Sequence, residues 1–68
     1  MKWWKKFKTP ETVEVYQDAD GRWRWRAVAG NGKVLDASEQ SYATKYYANG
    51  KAQRYAEAFG GTVVTITI

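Results

Sequence analysis

Two stretches of this chain carry residue types that could do chemistry. In Gly21-Arg22-Trp23-Arg24-Trp25-Arg26-Ala27 three arginines alternate with two tryptophans, and in Met1-Lys2-Trp3-Trp4-Lys5-Lys6-Phe7-Lys8 lysines are interleaved with aromatic rings. Cationic side chains contact phosphate and open rings stack on bases, so both stretches have the composition of a nucleic-acid surface. Lys2, Trp3, Trp4, Lys5, Lys6, Phe7, Lys8, Arg22, Arg24 and Arg26 are therefore the candidate residues for binding nucleic acid or another partner.

Catalysis has weaker support. The chain has no histidine and no cysteine. A nucleophile or general base would have to come from a carboxylate pair, a Ser-Lys dyad or a lysine in a formed pocket. Ser38 and Ser41 have no identifiable base, and Asp18-x-Asp20-Gly21 opens like a calcium loop but lacks the later oxygen ligands and the terminal glutamate. No enzyme, metal site or cofactor is expected.

Charge then separates the two stretches. The net charge is +4, and Lys2, Lys5, Lys6 and Lys8 stand among the first eight residues with no acid beside them. In the remainder, Arg22, Arg24, Arg26, Lys33, Lys45, Lys51 and Arg54 balance Glu11, Glu14, Asp18, Asp20, Asp36, Glu39 and Glu57. The excess positive charge thus belongs to an N-terminal arm. Lysine or tryptophan breaks every apolar run in that arm, so it does not read as a signal peptide, and a bilayer span needs about 20 apolar residues. A soluble cytoplasmic protein is expected, and the lack of cysteine fits a reducing compartment. On a short helix Trp3, Trp4 and Phe7 would share one side, an arrangement that also suits a membrane surface, the weakest of the partner readings.

These residues need elements to position them. Thr9-Pro10-Glu11 closes the arm, taken as residues 1–11, and one domain follows over 12–68. Alternation predicts strands over 12–17, 22–29 and 34–39, joined by Asp18-Ala19-Asp20-Gly21 and by Gly30-Asn31-Gly32-Lys33, whose Asn-Gly predicts a two-residue type I′ turn. The implied register sets Val15 opposite Trp25, Val13 opposite Ala27, Glu14 opposite Arg26, Val28 opposite Leu35, and Arg24 opposite Glu39. One face then collects Val13, Val15, Trp23, Trp25 and Ala27; the other collects Glu14, Tyr16, Arg24, Arg26 and Glu39. On that reading the two tryptophans build the core, Glu39 and Glu14 compensate Arg24 and Arg26, and Arg22 is the freest of the three arginines.

Past Glu39 the period becomes helical. Thr44 is the expected N-cap, Ala48, Ala52, Tyr55, Ala56 and Phe59 form the apolar stripe, and Gly60-Gly61 ends the helix. Lys45, Lys51, Gln53, Arg54 and Glu57 fall off the stripe and read as solvated. Gly50 costs about 1 kcal/mol relative to alanine and marks either a close backbone approach or a kink. The chain finishes with Thr62-Val63-Val64-Thr65-Ile66-Thr67-Ile68, an uncharged β-branched strand that needs strand neighbours. A 68-residue core without disulfide or zinc leaves oligomerisation as the remaining common stabiliser.

Together, Val13-Glu14-Val15-Tyr16, the Asp20-Gly21 turn, Trp23-Arg24-Trp25-Arg26, Asn31-Gly32 and the Ser38/Tyr42 region resemble the YegP-like family of small prokaryotic and viral domains, over about residues 12 to 59. The resemblance implies an α+β fold built as a β-β-β-α-β unit, with an antiparallel sheet and one helix packed on one face. It also implies a homodimer in which the C-terminal strand is swapped, with Val64, Ile66 and Ile68 as the dimerisation residues. Gln40-Ser41 stands before Tyr42 where the family commonly has a glycine, and the lysine-tryptophan arm has no counterpart there. The functional expectation is a non-catalytic homodimeric module that binds DNA or RNA through its basic arm with little sequence preference. The alternative is a protein-protein interaction module, a regulator or inhibitor of a cellular or host protein.

Overall fold

Period-two alternation becomes three consecutive strands. The computed structural model describes residues 9–66 and places β1 at Thr12–Gln17, β2 at Trp23–Val28, β3 at Val34–Ala37, α1 at Lys45–Phe59 and β4 at Thr62–Thr65. The strands form one sheet in the order β3-β2-β1-β4, and α1 packs on one face, an α+β architecture.

The core follows from the alternation. Val13, Val15 and Ala27 point from the sheet to the helix and are fully buried, as are Ala48 and Ala52 on α1. Two alanines at this contact let the helix backbone lie close to the sheet. Trp23, Trp25, Tyr42, Tyr55, Ala56 and Val63 then close the sides of that small core. Large rings at the edges of an alanine contact supply much of the apolar area a chain this short can bury. Phe59, expected on the stripe, instead lies largely exposed at the helix end, with its ring 4.6 Å from that of Tyr55.

Helix α1 begins where Thr44 Oγ1 accepts the Tyr47 backbone N–H at 3.2 Å, the N-cap bond that the sequence predicts. It ends at Gly60, whose N–H donates to the Ala56 carbonyl at 2.7 Å.

The first hairpin has the expected register, with Val13 opposite Ala27, Glu14 opposite Arg26 and Val15 opposite Trp25. The second departs from expectation. Ala29 N–H donates to Lys33 O at 2.9 Å and Gly32 N–H to Ala29 O at 2.8 Å, so the loop holds three residues, Gly30-Asn31-Gly32. Only Gly32 in it has positive φ, 88°. A type I′ turn would need Asn31 there as well. The loop therefore repeats the design of the first, where Asp18 N–H donates to Arg22 O, Gly21 N–H donates to Asp18 O, and Gly21 has φ 82°. The added loop residue sets Val28 opposite Val34 instead of Leu35, and a register shift between Ala27 and Val28 restores the expected pairing of Arg26 with Ala37.

Two further expectations are corrected. The antiparallel arrangement holds for β1, β2 and β3, but β4 runs parallel to β1, with Thr12 beside Thr62 and Val15 beside Thr65. In an up-down-up meander β3 has the direction of β1, and α1 carries the chain back across the sheet before β4 repeats that direction. Within this chain β4 lies against its own β1. Of the two alternatives at Gly50, a close approach or a kink, the close approach is absent, since a Cβ there would meet nothing within 4 Å, and α1 runs unbroken through it. Among the described residues no helix is long and apolar enough to cross a membrane.

Candidate functional site

The arginines of β2 are tied down by neighbours. Arg26 Nε donates to Glu14 Oε1 at 2.6 Å, the expected cross-strand pair, and its guanidinium sits 4.7 Å from the Tyr16 ring centroid. Arg24 pairs with Asp18 and not with Glu39: its Nε lies 2.9 Å from Asp18 Oδ2. The reason is that β3 stops at Ala37, so no strand carries Glu39 alongside Arg24. Asp18 stands diagonally across the first hairpin, and its Oδ1 also accepts the N–H groups of Asp20 and Arg22 at 2.9 and 3.0 Å. The Arg24 bond, helped by these two N–H donors and opposed by partial desolvation, holds the Asp18 carboxyl below its usual range. A carboxylate engaged in this way is the anchor of a turn, in place of the calcium-loop resemblance.

Arg22, expected to be the freest arginine, is bound as well. Trp23 and Tyr42 exchange backbone bonds of 2.8 and 2.7 Å, which brings residue 41 beside residue 22. Arg22 Nε then donates to Ser41 Oγ at 2.7 Å and Nη2 to the Ser41 carbonyl at 3.2 Å. Ser38 Oγ accepts the Trp25 backbone N–H at 3.2 Å, so both serines serve as β2 edge contacts.

Lys2, Trp3, Trp4, Lys5, Lys6, Phe7, Lys8 and Ile68 lie outside the described residues. Val64 and Ile66 are half-buried. Val64 is level with Glu14, on the sheet face away from α1, whereas Val63 packs toward the core.

A different surface gathers cationic and aromatic groups. On the outer side of α1, Tyr46, Tyr47, Asn49, Gly50, Lys51 and Arg54 line a shallow, open concavity of about 360 Å³. Tyr46 is 86% exposed and Tyr47 57% exposed. The Tyr47 ring stacks on Tyr42, with centroids 5.6 Å apart and planes 17° from parallel, while Lys51 Nζ lies 5.6 Å from the Tyr47 centroid. Lys45 Nζ is 6.0 Å from the centroid of Trp23, which extends the same cation-aromatic arrangement to the start of β2.

Helical spacing places Lys45, Lys51 and Arg54 off the apolar stripe as solvated residues; it does not show that Lys51 lies over Tyr47, that Arg54 shares the concavity with the tyrosines, or that Lys45 lies over Trp23. A signal was present. Residues 40–56 contain these three cations and no acid, although the chain from residue 9 onward is neutral. The sequence thus clusters positive charge that the overall balance conceals.

Among the described residues no group of three or more acidic side chains comes together as a metal site would require. Comparison with family models, with curated proteins and with solved structures finds no match to this chain.

Proposed function

We propose that this protein is a non-catalytic, homodimeric cytoplasmic module that binds nucleic acid with little sequence preference. The observation that carries the reading is the concavity on the outer face of α1, where exposed Tyr46 and Tyr47 stand beside Lys51 and Arg54 and no lining residue is acidic, Glu57 lying one turn past Arg54. Rings for stacking and cations for phosphate within one surface are what sequence-tolerant binding needs. The arm adds four lysines and three rings of the same chemistry. Arg22, Arg24 and Arg26 act in this reading mainly as structural ion-pair and hydrogen-bond donors. The homodimer rests on the YegP-like resemblance and on β4, an uncharged β-branched strand at the sheet edge.

Anisotropy titration of labelled oligonucleotides across a salt series tests the reading. Affinity should fall steeply with salt, and replacing Lys51 and Arg54 by glutamine should lower the log-log slope by about one per lost phosphate contact. Deleting residues 1–8 should lower it further. No affinity at low salt, or affinity indifferent to both changes, would remove the proposal.

The exposed Phe59 and Val34 favour a second reading, a protein-interaction module. A stoichiometric partner that survives nuclease treatment in a pull-down would select it.

A further inference from the structure

We infer that the helix face around Gly50 is a slot for one unpaired base, so that the protein holds a single strand in preference to a duplex. This rests on the nucleic-acid reading above and assigns that site its substrate class.

Gly50 sits in the middle of α1, where glycine weakens a helix. Nothing in the fold requires it. Its backbone has no positive φ, and a Cβ built on it would meet no atom within 4 Å. What the missing side chain leaves is the floor of the concavity. The walls stand at helical spacing. Tyr46 and Tyr47 lie four and three residues before Gly50 and Arg54 four after it, positions that are neighbours on a helix surface.

Each wall suits part of a nucleotide. Tyr46 offers a nearly free ring, and the Tyr47 ring is fixed by its stack on Tyr42. A base entering between them and Arg54 would have a ring on one side and a planar guanidinium on the other. Lys51 and Arg54 supply charge for the attached phosphate, and no residue lining the concavity is acidic; Glu57, three residues past Arg54, is the acid of α1 and stands outside the lining. A volume of about 360 Å³ is near the low end of ligand sites, which run from about 300 to 1,000 Å³. That suits a single ring system. A duplex hides its base faces inside the stack and could use only the cations.

The test uses the full chain, its Gly50→Ala and Gly50→Leu variants, a labelled oligothymidine strand and the same strand annealed to oligoadenosine. The wild type should prefer the single strand. Both substitutions should raise the melting temperature, because each improves helix propensity at an open position. Gly50→Leu should nevertheless weaken single-strand binding at least about five-fold and leave duplex binding unchanged, with Gly50→Ala intermediate. A stabilised variant with undiminished single-strand affinity would overturn the slot alone. Wild-type protein that binds neither probe would overturn the nucleic-acid reading and the slot with it. A nuclease-resistant protein partner lost from Gly50→Leu would overturn the slot in favour of a peptide on the same face.

Discussion

Asp18 joins a turn to a strand through one carboxylate, with Oδ1 on two loop N–H groups and Oδ2 on Arg24. Because its folded pKa lies below the ordinary 3.8, the unfolded chain binds more protons between the two values. Its contribution is therefore complete above about pH 4 and is lost as pH falls through the lowered value. Asp18→Asn keeps an oxygen for the loop but loses the charge pair. The variant should be less stable than wild type at neutral pH and show a shallower loss of stability on acidification, read by thermal melting across a pH series. Trp25 gives a second expectation at this scale. Its ring centroid is 4.8 Å from that of Tyr55, and its buried Nε1–H finds no acceptor among the described residues. Trp25→Ala should cost about 3–5 kcal/mol in denaturant titrations, comparable to the whole stability of so small a domain. A ligand platform with no structural duty would tolerate that change.

The elements differ in how tightly they are held. Gly32 and Gly61 both have positive φ, 88° and 101°, but a Cβ on Gly32 would meet open space, whereas one on Gly61 would lie 3.1 Å from the Pro10 carbonyl oxygen. Gly32→Ala should cost about 1–2 kcal/mol from backbone strain. Gly61→Ala should cost more, because the Pro10 backbone cannot step aside as a flexible side chain would. Denaturation midpoints of the two variants check the order. The buried face of the meander was legible because alternation and the Asp20-Gly21 turn agree on one register for Glu14 and Arg26. The second hairpin was less legible, since Gly30-Asn31-Gly32 accommodates a two-residue or a three-residue loop and only the backbone angle of Asn31 distinguishes them. The Arg22-Ser41 contact depends on a single bridge between Trp23 and Tyr42, which no periodicity announces. The tyrosine-cation face is not legible because helical spacing marks what a helix buries and does not say which exposed rings and cations meet on its outer side.

For the whole molecule, β4 bears on stability and on the proposed assembly. It covers one edge of β1, and Val63 reaches the core. Removing residues 62–68 should therefore unfold the chain, seen as loss of the cooperative melting transition, and not merely separate two copies. Light scattering at micromolar concentration should give twice the chain mass for the intact protein. A stable monomer would end the case for strand exchange while leaving the fold untouched.

The two hairpins and the parallel pair also differ in when they can form. β1, β2 and β3 are joined by three-residue loops, and hairpins close in about 1–10 μs. Thr12 must instead wait for Thr62, which at 5–20 residues per second leaves the ribosome roughly several seconds later. During that interval the outer edge of β1 stands open with its ladder groups unpaired, a vacancy that the still-unpaired β4 of another newly made chain would match as well as the chain's own. In a strand-exchanged pair the choice of partner would then be made while the chain is still being translated. Tagged and untagged chains should form mixed pairs when co-expressed, and should do so far more slowly when the finished proteins are combined.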